Sequence, residues 1–210
     1  MELVTPHPLL VQYLKQVQTL LPPLHRDLTP FKEAGEWHYI QSDLESNIFL
    51  LRELFERGLL PPHVQICDCG IGLGTIMFDL FLQSGEIPLQ FSFFGIEKWR
   101  PYLEALRGPL APLWQGRLET LEADLVDVDL TPYNFLWVYT PLTDGSRLMS
   151  FFERAWFSLP PGGIIVGMDH LRVKTWGSPL LIRALETAQF VKIGPIGVFI
   201  KPQTQGHTSP

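Results

Sequence analysis

The chain has 210 residues, with 16 Lys+Arg against 22 Asp+Glu and a formal net charge of −6, a balance that argues against a dedicated nucleic-acid binder, whose phosphate contacts call for a basic surface. Its length suggests one domain with an appendage, large enough to bury a sizeable core. Charged residues make up only 18% and prolines number 19, against usual shares of roughly 25% and about 5%, so low charge and frequent chain-breakers both need a structural reason.

The N-terminus, Met1-Glu2-Leu3, lacks the basic and apolar regions of a secretion signal, and no stretch reaches the ~18 consecutive apolar residues of a membrane span. The expectation is a cytoplasmic protein without membrane contact. An apolar stripe through Leu9, Leu10, Tyr13, Leu14, Val17, Leu20 and Leu21 repeats every 3.6 residues and predicts a helix that Pro22-Pro23 stops. A second helix is predicted from about Asp43 to Gly58, with Leu44, Ile48, Leu51, Leu54 and Phe55 on one face and Gly58 as its cap. Between them, Trp37-His38-Tyr39 is aromatic for a connection, and serves either as a lid or as an anchor for the extension. Residues 1–60 thus read as an N-terminal helical extension.

From Val64 the pattern changes. Short apolar runs at Val64–Cys69, Phe91–Glu97, Leu118–Glu122, Asn134–Tyr139 and Gly163–Asp169 alternate with helical segments at Thr75–Leu82, Pro101–Leu113, Ser146–Leu159 and Ser178–Ala188. Such alternation predicts an α/β fold, a doubly wound and mostly parallel sheet with helices on both faces. Phe190–Ile193, the turn Gly194-Pro195-Ile196-Gly197 and Val198–Lys201 add an antiparallel hairpin, making seven strands over residues 61–202, and 203–210 form a polar tail expected to be disordered. Cys67 and Cys69, the two cysteines, share one strand face at a spacing unsuited to a disulfide. With no second pair and no His-x-x-x-His, they read as core residues, and no metal site is expected.

The chemistry concentrates at Asp68-Cys69-Gly70-Ile71-Gly72-Leu73-Gly74-Thr75, between the first strand and its helix. Glycines there let the backbone turn tightly and approach a ligand. A dinucleotide fingerprint is Gly-x-Gly-x-x-Gly, whereas these glycines fall at 70, 72 and 74, with an acid two positions before the first.

In this the sequence resembles the class I S-adenosylmethionine-dependent methyltransferases, whose first motif is an acidic residue, one residue, then Gly-x-Gly-x-Gly. The resemblance extends over about residues 60–202. It implies S-adenosylmethionine as cofactor, held by Asp68, Gly70, Gly72, Gly74, by Glu97 on the ribose hydroxyls at the end of the second strand, by Asp124 on the adenine amino group, and by the amide of Leu125. Leu159-Pro160-Pro161-Gly162-Gly163 matches that family's turn before the fifth strand, and the terminal hairpin matches its antiparallel seventh strand.

Substrate groups in such sheets come from the loops after each strand. Here those are Tyr139-Thr140-Pro141 and Asp169-His170. Thr140 stands where many amino-methylating relatives carry Asp or Asn before Pro-Pro, which weakens a base-methylating assignment; Tyr139 shapes a pocket or simply packs. His170 is the candidate general base, since imidazole titrates near neutrality. Trp176 is a second candidate wall. Lys98-Trp99-Arg100 and Arg172-Val173-Lys174 are either an anion-binding surface or scattered solvated charge. The acceptor implied is a small molecule or a protein, with nucleic acid disfavoured by charge. Asn134, where relatives commonly have Asp, and Thr140 leave open a non-catalytic S-adenosylmethionine-binding module; RNA methylation and NAD-dependent oxidoreduction are the remaining alternatives.

Overall fold

The computed structural model describes residues 7–24, 49–139, 142, 144–168, 170–194 and 196–203, the side chains of 170–172 excepted. The predicted lid Trp37-His38-Tyr39, Thr140, Pro141, Asp169 and the tail from 204 onward lie outside the described residues.

Seven strands form one sheet: β1 (His63–Cys69), β2 (Gln90–Glu97), β3 (Leu118–Glu122), β4 (Phe135–Trp137), β5 (Ile164–Val166), β6 (Gln189–Ile193) and β7 (Ile196–Ile200), in the spatial order β3-β2-β1-β4-β5-β7-β6. The first five run parallel, while β7 lies antiparallel between β5 and β6, as Ile164 opposite Ile200 and Val191 opposite Val198 define. The order reverses between β1 and β4, and ligands of open α/β sheets bind at such a switch point.

One face is covered by α1 (Pro8–Leu24), α2 (Leu50–Glu56), α3 (Thr75–Ser84), α4 (Arg100–Arg107) and α5 (Ala111–Trp114), the other by α6 (Gly145–Ser158), α7 (His170–Trp176) and α8 (Pro179–Glu186). Strand alternation sorts the side chains between them. Ile66, Phe93, Phe135, Trp137, Ile164 and Val166 join the first layer; Cys67, Cys69, Ile96, Leu136 and Ile165 join the second. Both cysteines are free and buried on one face, as their spacing predicts. Central strands buried on both faces account for the low charge.

Three boundaries differ from the sequence reading. Pro22 and Pro23 sit inside the last turn of α1 rather than stopping it, because Leu20, Leu21 and Leu24 still pack against the core and a final turn forfeits few hydrogen bonds. The single helix expected over Pro101–Leu113 is two, α4 and α5, broken at Gly108-Pro109. Residues 170–176, expected as loop, form α7, which buries only Val173 among its side chains from 173 onward. Over the predicted Asp43–Gly58 helix the described part is α2, closed by Gly58 at φ +66 with Gly58 N–H on the Phe55 carbonyl and Leu59 N–H on that of Leu54. Phe55, expected on its apolar face, is exposed.

Asn134 pins the entry of β1, its amide oxygen accepting from Gln65 N–H at 2.8 Å and its amide nitrogen donating to the His63 carbonyl at 2.8 Å. A carboxylate could make only the first bond, so the asparagine is explained by strand pairing and says nothing about catalysis. Gln83 joins α2 to α3, accepting from Leu51 N–H and donating to Asp79, whose carboxyl burial pushes up to about 6 against the pull of that bond.

Candidate functional site

β1 ends at Cys69, and the chain turns through Gly70, Gly72 and Gly74 at φ +92, +53 and +67 before α3 begins at Thr75. These left-handed conformations strain any residue with a Cβ. The loop folds back over β2, with the amides of Gly70 and Ile71 both donating to the Ile96 carbonyl. Ile71 rests on Gly95, where a Cβ would collide with the Ile71 Cδ1 and stand 2.9 Å from its Cγ2. Sequence reasoning missed Gly95, though a glycine inside a strand signals close approach.

Glu97 ends β2 and ties this loop down. Its Oε2 accepts from Gly72 N–H at 2.9 Å, and its Oε1 accepts from Lys98 N–H and Trp99 N–H, each at 2.8 Å. Four loop amides, those of Gly70, Ile71, Gly72 and Gly74, are therefore committed inside the protein. They form no cradle for a phosphate, which binds through amides left open to it.

Asp68, Gly95 and Trp137 are register partners on neighbouring strands, and Asp68 shares its face with Glu97. Asp68 is 6% exposed and Glu97 7%. Burial, reinforced by the charge of Glu97, pushes the Asp68 carboxyl up to about 8, and among the described residues none donates a hydrogen bond to it. The pair is a buried acidic site with room for a cation's field. Because the folded value lies above the ordinary carboxylate range, Asp68 contributes stability that is fully present below about pH 4 and lost as pH rises through 8. Asp68→Asn is therefore expected to flatten this dependence and to stabilise the ligand-free protein near pH 7 by on the order of 2 kcal/mol. Thermal unfolding of both proteins from pH 5 to 8.5 checks it; parallel curves would refute a buried, proton-linked Asp68.

Asp124 follows β3. Burial alone would raise its carboxyl, but the Val126 amide and the charges of Lys98 and Arg147 outweigh that and hold it below the usual range. Lys98 Nζ lies 3.3 Å and Arg147 Nη2 3.4 Å from its Oδ2, and the Val126 N–H reaches Oδ1 at 3.2 Å. Lys98, which the sequence left between an anion-binding surface and scattered solvated charge, pairs with Asp124, and Arg100 pairs with Glu104. Neither Arg147 nor the pairing could be read from sequence, since it joins β2, β3 and α6. Leu125 is buried, and its carbonyl, with that of Val128, accepts from Arg154.

Beyond β4, Tyr139 is 53% exposed. His170 opens α7 after β5. Asp144 caps α6, its carboxylate accepting from Ser146 N–H at 2.8 Å and Arg147 N–H at 2.9 Å. Gly145, Ser146 and Met149 at the start of α6, with Trp176 at the end of α7, line an open cavity of about 350 Å³. Trp176 is 61% exposed. The carboxyl edge of the sheet therefore carries an acidic, glycine-lined half at β1–β3 and an apolar, aromatic half beyond β4 and β5. Among the described residues no group of three His, Cys, Asp or Glu could hold a metal ion, and no helix is long and apolar enough to cross a membrane.

No family model matches the chain, and no curated protein sequence is similar to it. Solved structures are. A protein from Listeria monocytogenes assigned as a class I S-adenosylmethionine-dependent methyltransferase superposes with a TM-score of 0.59 at 16% identity, over 93% of this chain and 69% of that one. One from Klebsiella pneumoniae assigned as an O-methyltransferase gives 0.56 at 14%, over 95% and 92%. One from Staphylococcus aureus assigned as a caffeoyl-CoA O-methyltransferase gives 0.52 at 15%, over 90% and 99%. The fold is that of the class I S-adenosylmethionine-dependent methyltransferases, including the antiparallel β7 beside β5.

Proposed function

We propose that this protein is an S-adenosylmethionine-dependent methyltransferase acting on a small-molecule or protein acceptor. The observation that carries the proposal is the buried Asp68–Glu97 pair beneath a glycine loop in which four amides, those of Gly70, Ile71, Gly72 and Gly74, are already committed. Such a site suits a cationic ligand that packs closely against backbone, and it does not suit a pyrophosphate. The same feature disfavours a nicotinamide dinucleotide.

Asp68, Gly70, Gly72, Gly74, Glu97, Asp124 and Leu125 would hold the cofactor. Once bound, S-adenosylmethionine supplies a methyl group on a sulfonium for in-line displacement by an acceptor nucleophile. The chain's task is to aim that nucleophile, keep water out and take up a proton where the acceptor carries one. Glu97, a carboxylate already oriented by three backbone amides, two on Oε1 and one on Oε2, would face the ribose hydroxyls from the end of β2. Asp124, held ionised by Lys98 and Arg147, is in the state an amine-facing acceptor requires. Trp176 would wall the acceptor cavity, Tyr139 after β4 would shape the acceptor side, His170 after β5 would act as general base, and Thr140 after Tyr139 would accept a hydrogen bond. The apolar lining and volume of the cavity favour a small apolar acceptor group over a nucleic-acid backbone.

Calorimetry with S-adenosylmethionine, S-adenosylhomocysteine and NAD tests the cofactor. Binding of both adenosyl ligands and none of NAD is expected, with proton release at neutral pH, read from buffers of different ionisation enthalpy, because a cation beside Asp68 favours its charged form. Heat from NAD alone would reverse the assignment. Methyl transfer to an acceptor panel, lost in His170→Ala and Tyr139→Ala, would then support the catalytic roles.

A further inference from the structure

One side chain of α1 reaches the back of the glycine loop. Tyr13 is 0% exposed, its ring stacked on Phe78 with centroids 4.0 Å apart and planes at 11°. Its hydroxyl donates to the Leu73 carbonyl at 2.7 Å and accepts from the Trp114 indole N–H at 3.2 Å. Leu73 lies between Gly72 and Gly74. Behind Gly74 there is no slack, since a Cβ there would stand 3.1 Å from the Tyr13 hydroxyl, 3.3 Å from Leu106 Cδ2 and 3.3 Å from Trp114 Cζ2.

A peptide followed by glycine can turn over at little steric cost on that side, because glycine accepts either sign of φ. If the Leu73–Gly74 peptide turned, its carbonyl would leave Tyr13 and its Gly74 N–H would leave the Ile71 carbonyl, which it meets at 2.8 Å, opening the turn that contains Gly72. The buried hydroxyl, itself oriented by Trp114, selects one of these states. We propose that Tyr13 is a positioning residue for the cofactor loop, holding the Leu73–Gly74 peptide so that the turn from Ile71 to Gly74, which carries Gly72, is set before any ligand arrives. The role rests on the methyl-donor site proposed above. It assigns a functional task to the N-terminal helix that the glycine motif alone does not suggest.

Tyr13→Phe keeps the ring stack and removes only the hydroxyl. In the full-length protein it is expected to weaken S-adenosylhomocysteine binding roughly 10-fold by calorimetry, since only the fraction of molecules with a competent loop binds. Amide exchange at residues 70–75 of the ligand-free protein should accelerate by a similar factor, while the β6–β7 hairpin stays as protected as in the parent. Trp114→Phe, which removes the donor that orients the hydroxyl, should give a smaller effect of the same kind. Val191→Ala, a core truncation in β6, controls for stability, and should lower the melting temperature without moving affinity or loop exchange. Tyr13→Phe with parental affinity and parental loop exchange overturns the proposal. A parent that binds no adenosyl ligand overturns the methyl-donor site instead, and the exchange of residues 70–75 then still decides the role of Tyr13.

Discussion

Glu97→Ala is expected to reduce affinity for S-adenosylhomocysteine by roughly 100-fold or more, equivalent to about 2.7 kcal/mol, and to cost about 2–4 kcal/mol of folding stability. The two losses have different origins. If Glu97 holds the ribose as proposed, the ligand loses a charged acceptor for its hydroxyls, and hydrogen bonds to charged groups contribute about 1.5–3 kcal/mol each. The fold loses the partner of three backbone donors, Gly72, Lys98 and Trp99, of which Gly72 N–H is buried. Relief of the repulsion between Glu97 and Asp68 offsets part of this cost. Glu97→Gln is informative because both oxygens are occupied. Oε1 accepts two amides and Oε2 one, so an NH₂ at either position must face a donor. The glutamine variant is therefore expected to lose nearly as much as the alanine variant, measured by calorimetry and denaturant unfolding; full retention in Glu97→Gln would mean that charge and acceptor count at this position are immaterial.

Gly167→Ala is expected to be the most damaging single-methyl addition among the described residues, lowering stability by about 3 kcal/mol or more and the melting temperature by roughly 6–12 °C. Gly167 leaves β5 at φ +83, and a Cβ there would run into the Val138 carbonyl oxygen and stand 3.0 Å from the Val138 carbonyl carbon. Both are backbone atoms. Val138 N–H in turn donates to the Val166 carbonyl at 2.9 Å, so the obstacle cannot retreat without parting β4 from β5. Gly194, at φ +56 with nothing within 4 Å of its would-be Cβ, separates strain from collision. Gly194→Ala should cost only about 1–2 kcal/mol, the ordinary penalty of a left-handed residue. Equal losses at the two positions in thermal unfolding would show that the Val138 collision is relieved at no cost.

The sheet and the acidic glycine loop were legible because their signals are local. β-α alternation needs only period and punctuation, and Asp68, Gly70, Gly72, Gly74 and Glu97 lie at the ends of the adjacent strands β1 and β2 and in the turn that follows β1. The break at Gly108-Pro109 was also written locally and was overrun by the apolar pattern on either side. What joins distant segments could not be read. Tyr13 appeared only as one member of an apolar stripe, since nothing in α1 reveals that its hydroxyl meets Leu73 and Trp114. Asp124 was read as a contact to an adenine amino group, and its pairing with Lys98 and Arg147 depends on strands and a helix far apart in the chain. α7 escaped because a seven-residue helix shows less than two turns of periodicity.

The contact between α1 and the glycine loop also bears on the order of folding. Tyr13 meets Leu73 across 60 positions and Trp114 across 101. Contacts of such separation carry a large loop-closure entropy and form late. The central strands β1 and β2, joined by a much shorter stretch, can pair before the loop between β1 and α3 has any support behind it. During refolding the amides of β1 and β2 should accordingly gain exchange protection ahead of those at residues 70–75, with the lag lengthened in Tyr13→Phe. Protection of both sets in a single phase would mean that the loop is set together with the sheet. If the lag is seen, the last part of the molecule to mature is the loop proposed to hold the cofactor, and adding S-adenosylhomocysteine during refolding should then shorten that final phase while leaving the strand phase unchanged.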